Sequence, residues 1–167
     1  MSTKNEKNFE KPEVLIEAEQ EYNKCLTIEN NGNIQFPSLK YAFYNLNLKN
    51  AFLKKIKIIQ TDIEKVQESL SNKNNADIIK EIEQLNEIKA KLSTFEKEAN
   101  EKYKLNMVYL VNLAKRSDRL KNPDADRVYV NASEDIIQSI INYYTNYEKY
   151  FILFNDIINN LIKKFHI

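Results

Sequence analysis

The sequence predicts an all-α fold: an elongated antiparallel helical bundle of one short N-terminal helix and three long ones, with coiled-coil-like packing. Three observations lead there. Near the C-terminus, Ile137, Ile140, Tyr144, Tyr147, Phe151, Phe154, Ile158, Leu161 and Phe165 recur at alternating steps of three and four. That is the a/d spacing of a helical seam, held over about four heptads. The chain has one glycine, Gly32, and three prolines, Pro12, Pro37 and Pro123. So few breakers cannot supply the turns of an α/β fold or a β-sandwich. Finally, 167 residues that are 43% hydrophobic and 29% charged suit one folded domain with a sizeable core.

The elements follow in order. Residues 1–10 are polar and read as a flexible tail. Pro12 fits the first position of a helix, with Glu13 near the positive end of its dipole. Val14, Leu15, Ala18, Tyr22, Cys25 and Leu26 line one face of this helix, which spans about 12–30, and Asn31-Gly32-Asn33 offers a left-handed cap. Ile34-Gln35-Phe36 links into Pro37, whose predecessor avoids helical geometry. A second helix covers about 38–70, with Leu39, Phe43, Leu46, Leu53, Ile56, Ile59, Ile63, Val66 and Leu70 as its apolar positions.

Residues 71–75 form a short turn, so the next helix folds back as a hairpin; a single bent helix is the alternative. The third helix, about 76–120, carries Ile78, Ile82, Leu85, Ile88, Leu92, Phe95, Ala99 and Tyr103, then Leu110, Leu113 and Ala114. Glu87 with Lys91 and Glu98 with Lys102 are four-residue charge pairs on its outer face. Its periodicity slips at 100–106, where a kink or break is expected. Residues 121–130, containing Asn122-Pro123 and Asp124-Ala-Asp126, read as the one substantial loop, with Val128-Tyr129-Val130 briefly extended. Asn131 or Ser133 then caps a last helix over about 132–165. A second apolar row on that helix, Ile136, Tyr143, Tyr150 and Ile157, runs beside the first. Two rows are wider than a two-stranded seam requires.

Composition narrows the function classes. A net charge of +1 argues against an obligate, electrostatically driven nucleic-acid binder. Abundant Lys, Asn and Ile with no Trp reads as the codon usage of an AT-rich genome. One cysteine, Cys25, rules out a disulfide within the chain and points to a reducing compartment. The N-terminus lacks an apolar signal region, and no apolar run approaches the roughly 20 residues that span a bilayer. A cytoplasmic location is the expectation. His166 is the only histidine and stands next to the last residue, where it cannot be held against a nucleophile. Gly32 alone cannot build a phosphate loop. The aspartates from Asp124 to Asp135 fail the calcium-loop pattern, because Val128 and Tyr129 occupy positions that need a ligand and a glycine. Asn131-Ala132-Ser133 matches a glycosylation sequon but is better explained as helix-cap chemistry. No catalytic, cofactor-binding or metal-ligating residue is assigned, and no cofactor or small-molecule substrate is expected. Helix carboxylates such as Glu81 or Glu101 could serve acid–base chemistry only if buried.

Two kinds of candidate contact residue remain. Tyr143, Tyr144, Tyr147, Tyr150, Phe151 and Phe154 form an aromatic cluster that serves as core and as a partner interface, since tyrosine rings bury area while their hydroxyls tolerate water. Ile141, Ile152, Leu153 and Ile162 widen the stripe further. Lys54, Lys55 and Lys57, and separately Lys115, Arg116, Arg119 and Lys121, could touch phosphate on nucleic acid or lipid. Cations at Lys115–Lys121 also suit a helix C-terminus. The expectation is therefore a non-enzymatic helical interaction protein: an adaptor, an assembly factor or a subunit of a larger complex. Its partner is another protein chain or a second copy of itself. The alternative is a surface-binding protein that contacts nucleic-acid or membrane phosphates.

Overall fold

The computed structural model describes residues 40–73, 77–119 and 123–167. These are 94% helical and contain no strand. Four helices are described: α1 Lys40–Ser71, α2 Asp77–Arg119, α3 Pro123–Thr145 and α4 Glu148–Lys164. The expected tail, first helix, glycine cap and link to Pro37 lie outside the described residues, as does Cys25.

The helix count differs from the expectation because the last helix is broken and begins earlier. Residues 123–130 are helical, not a loop, and Val128-Tyr129-Val130 are not extended. Pro123 opens α3, where a missing N–H costs nothing. The turn chemistry there marks a helix N-terminus. Ser133 lies within α3 and does not cap it; its hydroxyl donates to the Tyr129 carbonyl one turn back at 3.0 Å.

The break falls at Asn146–Tyr147. Thr145 Oγ1 donates to the Ile141 carbonyl at 2.7 Å, a back-bond that bends helices. The Tyr147 amide reaches only three residues back, to Tyr144, at 3.1 Å. This tightened turn leaves the apolar phase intact: Ile140, Tyr144, Phe151, Phe154, Ile158 and Leu161 are all buried.

The chain forms two compact units. The first comprises Met1–Asn47 and Lys102–Ser139; the second comprises Leu48–Glu101 and Ile140–Ile167. In the second, α1 and α2 make the expected helical hairpin rather than one bent helix. Near the turn, Gln67 Nε2 donates to Asn86 Oδ1 at 2.8 Å, and Lys89 Nζ donates to Gln67 Oε1 at 3.5 Å. Far from the turn, Phe52 of α1 and Phe95 of α2 both pack on the Tyr147 ring. The two helices are therefore antiparallel. Helix α4 lies along both, with Lys55 to Glu148 at 2.6 Å and Lys164 to Glu81 at 3.5 Å. The Lys55–Glu148 pair is exposed on both sides and contributes little stability; in the second pair Lys164 is exposed and Glu81 is partly buried.

In the first unit, Ala42, Tyr103, Met107 and Val111 form the core, with Phe43 and Leu46 packed against it. Asn45 is fully buried, and its Nδ2 donates to the Tyr103 carbonyl at 3.1 Å. That bond ties the first turns of α1 to one level of α2, the register-setting use of a buried asparagine.

Besides Tyr41, the buried positions of α1 are Ala42, Asn45, Lys49, Phe52, Ile56, Ile59, Ile63, Val66 and Leu70, these nine at unbroken alternating steps of three and four. The expected Phe43, Leu46 and Leu53 are only half-buried. Polar Asn45 and Lys49 hold seam positions, which displaces the apparent hydropathy register by one residue. Helix α2 runs through 100–106 without the expected break. The slip in its periodicity is nonetheless present: Ala99, Tyr103 and Met107 are buried at consecutive steps of four. The helix stays continuous through this change of spacing.

Helix α4 ends in a left-handed cap. His166 has φ 53°, and the Ile167 amide donates five residues back to the Ile162 carbonyl at 3.0 Å. This is the bond pattern of a Schellman motif, whose left-handed position favours glycine. Replacing His166 with Gly should therefore stabilise the chain by about 1 kcal/mol, raising the melting temperature by roughly 2–4 °C. Thermal denaturation followed by circular dichroism checks this; an unchanged or lower midpoint contradicts the cap.

Candidate functional site

The densest side-chain constellation is aromatic and lies in the second unit. The break between α3 and α4 places Tyr147 where the rings of α1 and α2 converge. Phe52 stacks on Tyr144 with centroids 4.6 Å apart, meets Tyr147 edge-on at 5.2 Å, and lies 5.4 Å from Phe151. From the other side Phe95 meets Tyr147 edge-on at 4.7 Å and also approaches Tyr150 and Phe154. Tyr143 sits edge-on to both Tyr144 and Tyr147 at 5.3 Å. Offset and edge-to-face pairs of this kind add about 0.5–1.5 kcal/mol each beyond area burial.

The cluster has a polar margin. The Tyr147 hydroxyl donates to Glu98 Oε1 at 3.4 Å, and the Tyr143 and Tyr147 hydroxyls share a hydrogen bond of 3.2 Å. Burial, and then the neighbouring Tyr147, push the Tyr144 hydroxyl up to about 12. Burial also raises Tyr143, reinforced by its hydrogen bond with Tyr147 and the nearby Glu98 carboxylate. In the first unit, burial raises the Tyr41 hydroxyl, with Glu134 and Tyr44 adding to the effect. Each shift favours the neutral phenol, which makes these groups poor bases near neutral pH.

The six aromatic candidates thus divide. Tyr144, Phe151 and Phe154 are buried, Tyr143 and Tyr147 are half-buried, and Tyr150 is exposed. Just outside them, Ile141, Ile152 and Leu153 are exposed. Sequence reading placed Phe95 on a helix seam but not in this cluster, and it missed Phe52 altogether. The unbroken three–four spacing of α1 identifies Phe52 once polar residues are admitted to the seam.

The basic candidates fall in separate units. Lys54, Lys55 and Lys57 are exposed on α1 in the second unit, and Lys55 is engaged with Glu148. In the first, Lys115 is half-buried and Arg116 is exposed. The Arg119 side chain and Lys121 lie outside the described residues. Glu81 is paired with Lys164, and Glu101 is exposed. His166 is exposed at the α4 cap.

A surface groove of about 300 Å³ runs between α1 and α4 in the second unit. Val66 and Ile158 form its floor, while Asp62, Lys65, Ser69, Asn155 and Asn159 line its sides. Among the described residues, no group of three or more His, Cys, Asp or Glu side chains converges as a metal site would require. No described helix is long and apolar enough to cross a membrane. No family model matches the chain, and neither a curated protein sequence nor a solved structure is detectably similar to it.

Phe52→Ala should destabilise the chain by about 3–5 kcal/mol, because a buried ring with three aromatic neighbours is lost. Denaturant melts measure this, and a loss below about 1 kcal/mol contradicts the packing. The raised hydroxyl of Tyr144 also sets an alkaline limit. Its folded pKa of about 12 exceeds the unfolded value of 10.0, so its stabilising effect is complete below pH 10.0 and is lost as pH rises toward 12. Tyr144→Phe should therefore move alkaline unfolding to higher pH, as read by absorbance of the tyrosinate.

Proposed function

We propose that the protein is a non-enzymatic helical interaction module: an adaptor, an assembly factor or a subunit of a larger complex. Its aromatic C-terminal region serves as core on one side and as a contact surface on the other. The observation that carries this reading is the outer face of α4. The inner row of that helix, Phe151, Phe154, Ile158 and Leu161, is already buried within the unit. Yet Tyr150 and Leu153 remain exposed beside it, with Ile157 half-buried in the same row and Ile152 exposed further round the helix. A single exposed apolar residue is ordinary, but a row of them outside a completed seam is the mark of a face that meets another surface. The tyrosines suit such a role, since interface centres are enriched in rings with a polar tip.

The test is a paired capture and mass measurement on the full chain and on an Ile152→Ser/Leu153→Ser variant. The substitutions lie outside the buried row, so melting temperature should change little. The expected result is a protein partner, or a self-associated mass in light scattering, that the variant loses. A monomer whose captured proteins are the same for both chains contradicts the reading.

A further inference from the structure

We draw no further inference here: the strongest candidate, the exposed apolar strip of Leu105, Val108 and Tyr109 on the outward face of α2 in the first unit, carries nothing because nothing in the structure shows what covers it.

Discussion

The second unit depends on one arrangement: Phe52 and Phe95 inserted against the break at Asn146–Tyr147. A broken helix leaves backbone groups that its regular ladder no longer satisfies. Here the turn tightens to a three-residue bond, and five further rings pack against the two phenylalanines. The rings belong to α1, α2, the last turn of α3 and the first turns of α4. They hold the end of one helix and the start of the next against a common hairpin. The break therefore does not shift the apolar phase, and the seam from Ile140 to Leu161 stays buried across it.

Much of this is legible in the sequence because heptad spacing survives wherever side chains are apolar. The α4 seam and the middle of α1 could be read from periodicity, and the hairpin from the short polar turn at 71–75, where a single bent helix was the alternative. What could not be read has physical causes. Asn45 and Lys49 occupy buried positions, so the seam of α1 looks interrupted when it is continuous. Pro123 carries turn chemistry and helix-start chemistry alike, and only the surrounding packing decides between them. The steps of four at Ala99, Tyr103 and Met107 look like a broken pattern, yet the helix absorbs them. The back-bond of Thr145 to Ile141 is a local competition between hydroxyl and ladder that composition does not reveal.

The candidate surfaces were legible in the same partial way. The tyrosine-rich stripe was visible, and its excess width corresponds to the exposed Tyr150, Ile152 and Leu153. The apolar strip at Leu105, Val108 and Tyr109 was not visible, because the adjacent buried row through Met107 and Leu110 lies in the same run of sequence. Only burial separates the two rows. Burial favours the neutral phenols of Tyr143 and Tyr144, and Glu81 is tied to Lys164 at the helix end.

Amide hydrogen exchange of the full chain tests the central claim most directly. If the ring cluster holds α3 and α4 to the hairpin, amides from Tyr143 to Ile158 exchange as slowly as those of Ile56–Val66, and Phe52→Ala accelerates both segments together. Exchange across Tyr143–Ile158 as fast as at the terminal residues Phe165–Ile167, or acceleration confined to α1, would contradict it.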